Sequence, residues 1–328
     1  HEIGHTLGLE HNFIGSSLYS VEQLRDNDFL DKHGMGSSIM DYMRFNYVAR
    51  EEDRIPLRNR VARVGEYDCF AIDWGYRYLP DRTGEEWNEW VRQELRDSSK
   101  RFEAGMDARA QSEDLGNDHV EFNSLGIENL KRLMAMADVW KYTDRQSYHI
   151  VKSRFNGMIQ QYSLFVDHVL RDIGGILKCE EDTTRFYRPV SRDYMSKVMT
   201  FLGRYVLTPC DWLYREDLGE RLGEDSRMLM SRFYQTTMEM LVGKLPTIVR
   251  MEEYMPGEVY TVDEYLGELH RWIFREWREN TVVSDARYVV QSAYVKELKA
   301  LLGKMGYIPS QVLVKGMEEI GKILEEGR

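Results

Sequence analysis

The first eleven residues carry three histidines, with a glutamate directly after the first, in the order His1-Glu2-Ile3-Gly4-His5-Thr6-Leu7-Gly8-Leu9-Glu10-His11. On a helix, residues four apart stack one turn above each other on the same face, so His1 and His5 can aim two imidazole nitrogens at one point. Glu2 lies about 100° further round. That places it beside a metal-bound water rather than on the metal, where a general base belongs. Gly8 can take the left-handed conformation that ends a helix, letting the chain turn back and present His11 as a third ligand. Three neutral protein ligands leave one coordination position open, the pattern of a catalytic zinc, whereas a structural zinc is closed by four ligands that are commonly thiolates. Such a zinc lowers the pKa of its bound water to about 7 and polarises a carbonyl. Glu2 is expected to take the proton of the attacking water and pass it to the leaving amine, so the chemistry is hydrolysis of an amide. A single helical histidine is ordinarily a surface or satisfied core residue. Three of the chain's 8 histidines at these positions, with Glu and Gly correctly interposed, favour the metal.

The elements that must hold this site read as helices. A loop with His33-Gly34-Met35-Gly36 comes after the first helix, and a helix is predicted over about residues 65–79, with Pro80 as a boundary. Trp87, Trp90, Val91 and Leu95 recur at helical spacing within 83–103, as do Ile127, Leu130, Leu133, Met134, Ala137 and Trp140; both stripes are read as core-facing. The longest pattern runs from Asp144 to Ile173 and suggests the spine of a helical domain, ended by Gly174-Gly175. Extended runs at 176–179 and 185–190 flank a polar Glu180-Glu181-Asp182-Thr183 turn and are read as a hairpin. Helices are predicted again near Ser191, over 225–242, 262–279 and 284–302. The fold class is mainly α with at most this small hairpin. The predicted domains are 1–80, carrying the site, and 81–328, a helical domain.

Downstream of the histidines stands Ser38-Ile39-Met40-Asp41-Tyr42, continuing into Arg44-Phe45-Asn46-Tyr47-Val48-Ala49. The long histidine signature with Ser-Ile-Met-x-Tyr after it resembles the metzincin metallopeptidases, and the wording is similar to the large bacterial Met-zincin family of secreted zinc proteases. Tyr67-Asp68, Ala71-Ile72, Trp74-Gly75-Tyr76 and the segment Arg109 to Asp118 extend the resemblance over most of the chain. It implies the C-terminal half of a metzincin catalytic domain, Zn²⁺ as cofactor held by His1, His5 and His11, and Glu2 as general base. It also implies Met40 as an apolar floor beneath the metal, suited to a polarizable thioether and not a ligand. Tyr42 matches a tyrosine that in several metzincins donates a hydrogen bond to the tetrahedral intermediate, the service of an oxyanion hole; the alternative for it is a buried core phenol. Protein or peptide substrates and a secreted, periplasmic or cell-surface location are implied by the same resemblance. Metzincins carry an upstream twisted sheet whose edge strand pairs with substrate backbone. The chain starts at the first ligand, so it is expected to be a fragment of a longer precursor that needs its upstream half for firm zinc binding and activity.

A formal charge of −11 with no basic cluster argues against nucleic acid as a partner. No window approaches the roughly 20 apolar residues needed to span a bilayer. Cys69, Cys179 and Cys210 form no C-x-x-C pair; Cys69 is read as a small buried hydrophobe in a helical stripe. Asp107, Glu113, Asp114, Asn117 and Asp118 lack the order of a calcium loop, and Asn117 or Asp118 is expected to cap the next helix. His33 is close enough in sequence to line the cleft, and His119, His149, His168 and His270 read as surface or satisfied residues. The other functional class left open is a helical interaction module or degenerate peptidase, against which the intact ligand set speaks.

Overall fold

Side-chain oxygens start many of the helices. Thr83, Asp144, Ser191, Asp225, Thr261 and Ser284 each accept a hydrogen bond from a backbone N–H in the first turn of the adjoining helix. Each satisfies a donor that has no partner inside its helix, a contribution of about 1 kcal/mol. The computed structural model describes residues 1–78, 83–179, 186–303 and 308–327. The chain is mainly helical, with a single two-stranded sheet among the described residues. It forms two compact units, His1–Gly126 with Ile176–Arg188, and Ile127–Gly175 with Pro189–Arg328.

The first unit contains α1 (Glu2–Thr6), α2 (Asn27–His33), α3 (Glu66–Tyr76), α4 (Gly84–Glu94) and the beginning of α5 (His119–Ala135). Strands β1 (Ile176–Lys178) and β2 (Tyr187–Pro189) pair as the sequence led us to expect, although Glu180 to Arg185 lie outside the described residues. The core gathers Leu24, Leu30, Met35, Met43, Leu115 and Phe122. Long loops carry much of it, so the pattern is not periodic. The α4 stripe differs from expectation: none of its residues is buried, and Leu95 is exposed. Trp90 instead packs half-buried against Phe70, 5.7 Å between ring centroids, and against Trp87 at 4.8 Å. An amphipathic helix this short can lie on a surface with only its indoles shielded. The sequence-based boundary at 80/81 falls within this unit's span, and Pro80 itself lies outside the described residues.

In the second unit, α6 (Arg145–Arg171) is the long helix predicted from periodicity, burying Val151, Phe155, Tyr162 and Val169. After it come α7 (Arg192–Phe201), α8 (Glu216–Leu222), α9 (Ser226–Gly243), α10 (Leu245–Tyr254), α11 (Val262–Ile273), α12 (Arg275–Glu279), α13 (Asp285–Leu302) and α14 (Ser310–Glu326). The sequence pattern had suggested one helix over 262–279. The chain breaks at Phe274 (φ −112°, ψ 30°), and Arg287 of α13 bonds the Ile273 and Trp272 carbonyls exposed there, at 2.7 and 2.9 Å. Leu133, expected in the core, is 48% exposed. α9 and α13 lie against each other, and no helix of the described residues is long and apolar enough to cross a membrane.

Candidate metal centre

α1 is a single short turn of helix, and the chain reversal at its end decides the site. Leu9 N–H donates to the Gly4 carbonyl at 3.0 Å, and Gly8 takes φ +85°. A side chain would strain that left-handed conformation, which explains glycine between the second and third histidines. The reversal brings His11 back beside α1, so that the ring centroids of His1, His5 and His11 lie 4.8 to 5.2 Å apart. One ligand atom from each lies within 4.8 Å of the others, a grouping able to hold a metal ion.

The hydrogen bonds fix the tautomers. His1 Nδ1 stands 2.7 Å from the Ile39 carbonyl and His5 Nδ1 2.9 Å from the Leu9 carbonyl. A carbonyl oxygen only accepts, so each Nδ1 carries the proton and each Nε2 of a neutral ring keeps its lone pair. His1 Nε2 is buried and has no hydrogen-bond partner, a costly state unless something binds it. His5 Nε2 faces His11 Nε2 at 3.2 Å. Nitrogens at the usual 2.0–2.1 Å from a tetrahedral zinc stand about 3.3 Å apart. The donor set, the orphaned nitrogen and the His5–His11 separation fit zinc.

The floor is built by Ser38 to Tyr42. Met40 is fully buried, and a Cβ placed on Gly4 would run into its sulfur, so glycine at position 4 lets the thioether pack directly under the helix and any larger residue there requires Met40 to shift. The carboxylate of Asp68 on α3 accepts from Ser38 Oγ (2.7 Å), Ile39 N (2.7 Å) and Gly65 N (2.8 Å). Ile39 then offers its carbonyl to His1. Asp68 therefore fixes the peptide that fixes the first imidazole, the outer-shell arrangement that orients metal-binding histidines. Asp68 carries no metal-ligand spacing of its own; an acidic residue three positions after a helix-opening glycine is the signal that marks it. Tyr42 is 43% exposed and is not a core phenol. Its ring stacks on His1 at 4.8 Å and lies 4.7 Å from His11. Glu2 is exposed on the first turn and is not one of the converging groups. Beneath the floor, Asp41 accepts from Ser16 N at 2.8 Å, and Ser16 Oγ donates to the buried Asp114 at 2.8 Å. Burial first, and then the charge of Asp114, push the Asp41 carboxyl well above the usual carboxylate range.

Other candidates are placed elsewhere. Cys69 is exposed rather than buried, because α3 turns Tyr67, Asp68 and Ala71 inward and leaves position 69 on its outer side. It lines a cleft of about 380 Å³ with His33, Glu66 and Trp90. His33 is bonded there to Glu66 at 2.7 Å and does not join the other histidines. The acidic residues 107–118 disperse: Glu113 pairs with Arg44, Asp107 with Arg109, Asp114 bonds Ser16, and Asp118 caps α5 by accepting from Glu121 N. His270 is buried between two carboxylates.

A family model described as Met-zincin matches residues 1–281. The chain belongs to the Met-zincin family, which implies zinc and a peptidase-like function. No curated protein and no solved structure matches the chain.

Proposed function

We propose that this chain carries the zinc site of a metallopeptidase that hydrolyses peptide bonds in protein or peptide substrates outside the cytoplasm. The observation that carries this reading is the convergence of three imidazoles, two with Nε2 freed by carbonyl bonds to Nδ1 and one of those nitrogens buried without a partner. His1, His5 and His11 hold the ion. Zinc, when bound, supplies Lewis acidity toward a water and toward the carbonyl to be cleaved. Glu2 removes the proton of the attacking water onto its carboxylate and delivers it to the nitrogen of the departing amine. Tyr42 donates its hydroxyl proton in a hydrogen bond to the oxygen on which negative charge develops. Met40 and the Asp68-bound peptide keep the rings in register.

The test compares wild type with Glu2→Gln in the intact protein. Elemental analysis should find one zinc per chain in both, while cleavage of a peptide library should fall about 10³-fold in the variant. Equal cleavage by both proteins, or no zinc in the wild type, sinks the reading.

A further inference from the structure

His1 and His5 are held by a helix and by carbonyl bonds to their Nδ1 atoms. His11 has neither: it sits in a loop, and among the described residues no carbonyl takes up its Nδ1. The residue after it is another matter. Asn12 is completely buried and all its polar groups are engaged. Its backbone N–H donates to the Met40 carbonyl at 3.2 Å, its carbonyl accepts from Gly15 N at 3.1 Å, and its side-chain amide reaches far along the chain. Asn12 Nδ2 donates to the Arg101 carbonyl at 2.9 Å, and Asn12 Oδ1 accepts from Glu103 N–H at 3.0 Å.

The segment so gripped is itself anchored. Glu103 accepts at one carboxylate oxygen from the N–H groups of Ala104, Gly105 and Met106 and lies 3.5 Å from Lys178. Phe102 stacks on Tyr67 at 5.9 Å, and Tyr67 N–H donates to the Ser37 carbonyl just before the floor segment. A buried amide that bonds two backbone groups of one strand of chain acts as a two-point clamp, and losing either bond strands a buried polar group.

We propose that Asn12 is a positioning residue for the third imidazole, making the metal centre dependent on the segment Arg101–Glu103. This rests on the zinc reading of the histidine cluster. Asn12→Asp keeps the acceptor for Glu103 N–H but sets a second oxygen against the Arg101 carbonyl. Glu103→Pro breaks the clamp from the other side by removing the N–H, and Glu103→Gln keeps that N–H as a control.

The experiment measures zinc affinity by chelator competition, together with the visible spectrum of the Co²⁺-loaded intact protein, which reports ligand number and geometry. Asn12→Asp and Glu103→Pro should weaken zinc binding by about ten- to a hundredfold and alter the cobalt bands, as loss of outer-shell partners does elsewhere. Glu103→Gln should match wild type. If folded Asn12→Asp and Glu103→Pro bind zinc and cobalt as wild type does, or lose only thermal stability, Asn12 is structural and the inference is overturned. If wild type binds no metal, the zinc reading falls and takes this inference with it, so the two failures are distinguishable.

Discussion

His5 in the first unit and His270 in the second both have their ring nitrogens committed, in opposite senses. His5 gives one proton to the Leu9 carbonyl and faces another imidazole with its remaining nitrogen. His270 places Nδ1 2.9 Å from Glu319 and Nε2 3.0 Å from Glu326, both on α14. Ionised carboxylates only accept, so both nitrogens of His270 can donate at once only when the ring is protonated, and the two glutamates favour the imidazolium. The same side chain thus keeps a lone pair turned toward another imidazole in one place and is favoured as a cation in the other. The difference lies in the neighbours. Backbone carbonyls fix a tautomer without adding a charge, whereas two glutamates select the protonated ring.

Removing a ring should separate the two roles most sharply. His5→Ala should lower zinc affinity by at least about a thousandfold, read by chelator competition, because two nitrogens cannot complete the site. His270→Ala should leave zinc stoichiometry intact but destabilise the second unit by about 3 kcal/mol in urea unfolding, since Glu319 is left buried without its cation. Zinc loss from the second variant, or retention by the first, breaks the comparison.

Acidity should act on the two regions with opposite sign. Burial lowers the His270 pKa, but the bonds to Glu319 and Glu326 outweigh it and raise the value above that of an ordinary imidazole. A raised folded-state pKa means stability fully present below the unfolded value of about 6.5 and lost as pH rises through the folded value. Fluorescence of Trp277, whose ring lies 6.3 Å from His270, should report that loss on alkalinisation. Zinc binding displaces protons from its ligands, so apparent affinity should instead fall on acidification. A smaller effect is expected at Asp68→Asn, about tenfold in zinc affinity, because one of three bonds organising the Ile39 peptide is compromised. The smallest is Cys69→Ser, within about 0.5 kcal/mol of wild type, while in the folded wild-type protein Cys69 should be alkylated and buried Cys210 protected.

The histidine cluster was readable because helical spacing and a turn glycine are local rules, and local rules survive without tertiary information. The same holds for α6, where Val151, Phe155, Met158, Tyr162, Phe165, Val166 and Val169 recur on one buried face. The features that escaped were decided at a distance. Asp68 and Asn12 act through backbone groups far along the chain, which leave no mark in spacing. Cys69 and the α4 indoles belong to apolar patterns, yet the groups that pack above them are set by the fold. α8, with 7 residues, is too short to show a period, and α10 opens with Pro246, tolerable only because it stands in the first turn, whereas α14 escaped despite its amphipathic pattern.

α3 touches the site twice without contributing a ligand. Asp68 holds the floor near its beginning, and at its end the Tyr76 hydroxyl donates to the Leu7 carbonyl at 2.9 Å, where α1 runs out. It braces the floor and the end of α1 together, so an ion that drew the imidazoles closer would load both contacts. Slowed amide exchange along α3 on adding zinc would make the occupancy of the centre visible in a helix that never meets the ion.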